Sequence, residues 1–216
     1  MSAPTHRSLV DLLPADLLEK LRTAGQVKDF TDRQMIHAQA DNSIGLSIIL
    51  EGRVRFGHYT EQGKFYLTGI LGPGHCYGEV TLFADRLRAY QAEAFGQTHV
   101  LMIGRNAFNA LYDEEPSFAR AVTQTITQRL YESLDFADDL RRLTIEHRIA
   151  RLLLRTARLG GFNDGVLPLR QTDLAFSLGI SRVSVGKALD TLQQRKVISL
   201  GYGSIRIADA TRLAVP

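Results

Sequence analysis

The sequence predicts an α+β fold in three parts: an amino-terminal β-roll, one long helix, and a carboxy-terminal helix-turn-helix with a two-stranded wing. Three observations carry this reading. From about residue 30 to 104, short apolar runs are punctuated by glycine, among them Gly45, Gly52, Gly57, Gly63, Gly69 and Gly78, the texture of a β-barrel or jelly roll. From Ser117 to about Leu143 there is no Gly or Pro, so the segment reads as one long helix. Beyond it, two amphipathic stretches meet across "LGIS" at residues 178–181, the spacing of a helix-turn-helix.

With 216 residues, 44% of them hydrophobic, the chain can bury one sizeable core or two smaller ones. No apolar run approaches the roughly 20 residues that span a bilayer, and "MSAPTHRSLVDLL" lacks the charged start and apolar stretch of a signal peptide. A cytoplasmic chain without a membrane partner is expected. The single cysteine, Cys76, excludes an internal disulfide framework and a cluster held by four cysteines of one chain. Charge is segregated: residues 1–140 carry 13 Lys/Arg against 18 Asp/Glu, and residues 141–216 carry 13 against 5. A basic, phosphate-seeking module at the carboxy-terminal end follows.

Element by element, "LVDLLPADLLEKLR" spaces its leucines as one or two short helices around Pro14. "TEQGK" reads as a hairpin tip, and "LGPGHCYGE" is too rich in glycine for an ordinary strand. On the long helix, Ala119, Val122, Ile126, Leu130, Ser133, Ala137 and Leu140 recur at steps of three and four. That stripe reads as a homodimer seam rather than a face buried on the roll. Thr144 is the expected N-cap of the next helix, which stops at Gly160-Gly161. "VLPL" reads as a short strand, and "VISLGYGSIRI" as the wing hairpin. The domains expected are a β-barrel or jelly-roll domain over 1–116, the dimerisation helix over 117–143, and the winged module over 144–216.

In the winged module Ser181 caps the second helix and leaves Arg182, Val183 and Ser184 in its first turn. Val185, Ala188, Leu189 and Leu192 share the buried side. Arg182 and Lys187 suit direct readout of the paired guanine acceptors, and Val183 an apolar contact such as a thymine methyl. Gln171 and Arg206 suit phosphate contacts that orient without reading sequence. Double-stranded DNA is the expected partner. No nucleophile–base pairing, metal-ligand spacing or phosphate loop stands out, so neither an enzyme nor a metal site is expected.

Over residues 9–210 the chain resembles the CRP/FNR family of bacterial transcription regulators, through "IILEGRVRF", "LGPGHCYGEVTLF" and "DLAFSLGISRVSVGKALDTLQQRKVI" in the family's order and spacing. The resemblance implies a cyclic nucleotide-binding-like β-roll, a long dimerisation helix and a winged helix-turn-helix. It also implies a two-fold DNA site and contact with RNA polymerase. Cyclic AMP is the effector it suggests, with Gly78, Glu79 and Arg88 at the ribose and phosphate. Arg129 and Ser133 match positions that face the ligand. A guanidinium fork grips two phosphate oxygens, a carboxylate accepts from a ribose hydroxyl, and glycine admits close backbone approach.

The chain departs from the family pattern at several points. Ala89 stands where bacterial cyclic-AMP binders carry serine, which removes one charged hydrogen bond of about 1.5–3 kcal/mol, roughly 10- to 150-fold in affinity; its backbone N–H remains. Leu134 replaces a serine that reaches the second subunit's ligand. Arg86 lies two residues from Arg88, on what reads as the same strand face, and leaves the register open by that step. Val183 and Lys187 change the reading face, so the preferred DNA site should differ. Arg170 stands where threonine often caps the first helix, which should leave that helix start less well fixed. Two alternatives of the same family remain, an effector-independent regulator and a haem or redox sensor through His75 and Cys76. Haem is disfavoured because adjacent strand residues point to opposite faces. An alternative of another class is a cyclic-nucleotide module acting on a protein partner without DNA.

Overall fold

The computed structural model describes residues 7–84 and 86–214; the first six residues of the stretch read for a signal peptide lie outside them. The chain divides into two compact units, one of residues 1–56 and 71–133, the other of 57–70 and 134–216.

In the first unit a 3-10 turn, Val10–Leu12, and helix α1, Ala15–Ala24, lie on either side of Pro14, which has no N–H with which to continue a helix. Strands β1 (Gln26–Phe30), β2 (Met35–His37), β3 (Gly45–Tyr59), β4 (Phe65–Leu71), β5 (Cys76–Tyr77) and β6 (Gln91–Gly104) form one six-stranded sheet, of which β3 from Gly57 onward and β4 up to Ile70 belong to the second unit. Its path runs β1-β6-β3-β4, with β2 also paired to β6 and β5 to β3. Both faces of this sheet are covered. Ile49 and Val100 fill one cluster with Phe30, Val54 and Ala94, while their neighbours Ile48 and Leu101 enter another with Leu17, Leu21 and Phe108. Successive strand residues face opposite sides, so "IIL" at 48–50 and "VLMI" at 100–103 are apolar throughout because each side meets a core. Gly52 turns β3 with φ +73° where a Cβ would stand 2.1 Å from the Gln97 carbonyl.

Helices α2 (Glu79–Phe83), α3 (Arg105–Glu114) and α4 (Pro116–Arg142) follow. Here the expected dimer seam needs correction. Phe118, Ala121 and Val122 are buried in the first unit's core, with Ile126 packed against it. The early half of the stripe is therefore a face buried on the roll. Among the exposed positions on α4, Thr123, Thr127, Leu130, Leu134 and Ala137 are themselves spaced by four and three.

In the second unit, α5 (Ile145–Gly160) starts at Thr144, whose hydroxyl accepts from His147 N, and ends at Gly161 in the left-handed region. Helices α6 (Gln171–Leu178) and α7 (Arg182–Gln194) follow the short strand β7 (Val166–Leu167). Strands β8 (Ile198–Gly201) and β9 (Ser204–Ile207) complete a three-stranded sheet in the order β7-β9-β8, and α8 spans Ala210–Ala214. Arg170 does not weaken the start of α6. Asp173 accepts from Arg170 N at 2.9 Å and from its Nε at 3.0 Å, so the carboxylate at the third helical position supplies the fixing that the first residue lacks. No helix among the described residues is long and apolar enough to cross a membrane.

Candidate functional site

Two sites emerge, one in each unit. In the first, Gly78 precedes α2 with φ +97°, and a Cβ there would lie 2.3 Å from the Gly45 carbonyl and 2.9 Å from Arg88 Nη1. Only glycine lets the backbone turn this close to the guanidinium. Glu79 opens α2 and is 5% exposed. Its Oε1 accepts from Arg129 Nη1 on α4, and Arg129 Nη2 donates to the Cys76 carbonyl. Its Oε2 is buried without a hydrogen-bond partner.

Arg88 is 8% exposed, whereas Arg86 is exposed. Its Nε donates to Ser43 Oγ at 3.2 Å and its Nη2 to the Gly45 carbonyl at 3.4 Å. The Tyr77 ring lies 6.0 Å from its guanidinium carbon. Burial lowers its pKa from the ordinary arginine value, but a guanidinium stays charged. Among the described residues no carboxylate stands within ion-pair distance of it. The site thus holds a buried cation solvated by neutral oxygens and, nearby in sequence, a buried carboxylate oxygen lacking a donor. Ala89 is exposed. Ser133 is exposed and its hydroxyl donates to the Arg129 carbonyl at 2.8 Å, so this side chain is turned back on its own helix.

In the second unit, Ser181 Oγ accepts from Ser184 N at 3.0 Å, the N-cap that fixes the start of α7. Val185, Ala188, Leu189 and Leu192 are buried, and Arg182, Val183 and Lys187 are exposed on the outer side. Gln171, the first residue of α6, is half-buried, with its Oε1 3.9 Å from where a Cβ on Gly186 would stand. That distance is ordinary van der Waals contact, so a methyl group would be accommodated at position 186. Arg206 is exposed on β9, with Nη1 donating to the Asp164 carbonyl at 3.1 Å.

The model of the "Cyclic nucleotide-binding domain" matches residues 27–115, and that of the "Crp-like helix-turn-helix domain" matches residues 147–215. The chain belongs to the CRP/FNR family of transcription regulators. Like this chain, its relatives span both parts. The "CRP-like cAMP-activated global transcriptional regulator" of Mycobacterium tuberculosis is 27% identical over 88% of this chain and 87% of its own. The "Cyclic AMP receptor protein" of Thermus thermophilus is 29% identical over 82% of each. Among solved structures, the Thermus thermophilus catabolite activator protein matches at TM-score 0.54 and 26% identity, covering 95% of both chains. The regulator CLP of Xanthomonas campestris shares the fold at TM-score 0.71 and 20% identity, covering 90% of this chain and 99% of its own.

As a member of this family the chain is a DNA-binding transcription regulator and not an enzyme. Two features of this CRP/FNR regulator escape a sequence reading. Ser43 reaches Arg88 from a loop 45 residues earlier, a proximity no periodicity encodes. Tyr202, fully exposed at the wing tip between Gly201 and Gly203, is marked only by its flanking glycines. Cys76 is buried, and desolvation raises its thiol pKa to about 12, the state of an inert small hydrophobe.

Proposed function

We propose that the chain works as a homodimer whose β-roll takes a small anionic effector, cyclic AMP first among the candidates, and that binding sets the two recognition helices for successive major grooves of a two-fold DNA site. The observation that carries the effector reading is Arg88: a buried guanidinium without a carboxylate partner among the described residues is a site prepared for an anion. Glu79 Oε2 adds the second half, because an acceptor lacking a donor suits a ligand hydroxyl. A sugar phosphate offers both groups. The names of the relatives in Mycobacterium tuberculosis and Thermus thermophilus support the same ligand. Sensing is assigned to residues 1–116, dimerisation to 117–143 and DNA binding to 144–216, with cytoplasmic action and RNA polymerase as the downstream partner. In the DNA site, Ser181, Arg182, Val183, Ser184 and Lys187 meet the groove while Gln171 and Arg206 orient the module.

One observation favours a second reading, that of an effector-independent regulator. Arg129 already occupies Glu79 Oε1, and Ser133 faces its own helix. Calorimetric titration with cyclic AMP and cyclic GMP separates the two. Saturable heat that disappears in Arg88→Leu is the expected result. Absence of heat with either nucleotide overturns the cyclic-nucleotide reading and leaves the effector-independent one.

A further inference from the structure

We propose that Ser43, backed by Asp41, is the positioning residue of the anion site, holding the Arg88 guanidinium by its Nε so that its outer edge stays open to the ligand. This rests on the reading of Arg88 as the anion-binding group.

The loop between β2 and β3 is fastened to Arg88 at three levels. Its backbone pairs with that of the arginine: Ala40 N donates to the Arg88 carbonyl at 2.9 Å, and Arg88 N donates to the Asp41 carbonyl at 3.1 Å. Ala40 adopts φ +61° to do so, a left-handed conformation that alanine takes at a cost. Asp41 then shapes the turn, its Oδ1 accepting from Ser43 N at 2.9 Å and its Oδ2 from the Ser43 hydroxyl at 2.9 Å. With its proton directed to Asp41, the Ser43 oxygen presents lone pairs to Arg88 Nε at 3.2 Å. His37 Nδ1 stands 3.2 Å from the same oxygen and its Nε2 3.3 Å from Ser47 Oγ, closing the loop from behind.

The chemistry explains why the carboxylate acts at one remove. A buried arginine needs compensation for lost hydration. A carboxylate bound directly to the fork would supply it, but would compete with the oxygens of an incoming phosphate for the same N–H groups. Asp41 instead polarises a hydroxyl, and the hydroxyl accepts from Nε. The cation is held and partly balanced, while Nη1 has no protein acceptor among the described residues. Position 89 offers no side-chain hydroxyl for this task, being alanine.

The test uses the full chain and two readouts. Titration with cyclic AMP compares the wild type with Ser43→Ala, Ser43→Thr and Asp41→Asn. Arginine 15N NMR of the nucleotide-free protein follows the Arg88 Nε–H signal, assigned through Arg88→Lys. Ser43→Ala should bind about 10-fold more weakly, as expected for loss of one hydrogen bond to a charged group, and should lose the protected Nε–H signal. Ser43→Thr should restore both, and Asp41→Asn should weaken binding in the same direction. Unchanged cyclic-AMP affinity or an unchanged Nε–H signal in Ser43→Ala overturns the proposal. If the wild type binds no nucleotide, the cyclic-nucleotide reading fails. The positioning role is then decided by the NMR comparison alone.

Discussion

Arg129, on the long helix α4, donates to Glu79 Oε1 at the start of α2 and to the carbonyl of Cys76 on β5. One side chain thus ties the helix that carries the exposed Leu130 and Leu134 to the segment that carries Gly78 and Glu79. A ligand that recruits Glu79 must act beside this bond or through it, which gives the effector a mechanical route to α4.

Replacing Arg129 by methionine should keep most of the volume and leave Glu79 buried without a cation. Removing one partner of a buried pair costs about 3 kcal/mol or more; the guanidinium side chain is 27% exposed, so roughly 2 kcal/mol is expected. Urea denaturation should report a lower midpoint, and Arg129→Met, Glu79→Gln should recover part of the loss, because the uncompensated charge is gone. Equal stability of the wild type and Arg129→Met would make the pair a surface contact without consequence.

His37 sets a pH limit on the first unit. Burial first, then the Arg88 charge, lowers its pKa from 6.5 to about 4. The depressed value means that between pH 6.5 and 4 the unfolded chain binds a proton that the folded chain refuses. Stability is therefore full above about pH 6.5 and falls as the pH drops towards 4, by up to roughly 3 kcal/mol from this group. The difference in unfolding free energy between the wild type and His37→Gln, measured from pH 7.5 to 4.5, should narrow as the solution is acidified. A constant difference across that range would show that His37 titrates normally.

The proposed DNA interface assigns base reading to Lys187 on α7 and anchoring to Gln171 on α6. Lys187→Ala should relax base preference at one position in each half-site, whereas Gln171→Ala should weaken all sequences alike. Binding to a randomised site library, followed by sequencing of the retained fraction, distinguishes the two. An unchanged preferred site in Lys187→Ala would remove Lys187 from the reading face. Salt titration of the wild type should also show a steep loss of affinity, since the basic half of the chain displaces counterions.

The winged module was legible because its signals are local: Gly179 ends α6 at φ +63°, Ser181 caps α7, and Val185, Ala188, Leu189 and Leu192 fall on one side. The hairpin tip at "TEQGK" was legible for the same reason, but the glycines do not separate short strands: Gly52 and Gly57 lie inside the 15-residue β3 and Gly96 inside the 14-residue β6. What escaped were pairings across long stretches of chain, such as Ser43 with Arg88, and the compensation of Arg170 by Asp173. The stripe on α4 misled in part for a physical reason. A spacing of three and four describes any face that meets apolar surface, and it does not say whether that surface belongs to the same chain. Val122 and Ile126 found theirs within the first unit's own core.

That correction makes the dimer seam a sharper target. Leu130 and Leu134 are 57% and 56% exposed, with Thr127 one turn before and Ala137 one turn after on the same face. Isolated exposed leucines are ordinary, but a spaced row on a long helix is the geometry by which two such helices interlock. Leu134→Glu places a charge in the row without touching the core residues Phe118, Ala121 and Val122, so each chain should still fold. On the proposed homodimer, sedimentation should find twice the monomer mass for the wild type and the monomer mass for Leu134→Glu. Affinity for a two-fold DNA site should fall at least 100-fold, because two half-sites joined by a dimer bind as one unit while two monomers must bind separately. If Leu134→Glu remains dimeric and binds DNA unchanged, the partner surface lies elsewhere on the chain, and Arg129 loses its route from ligand to partner.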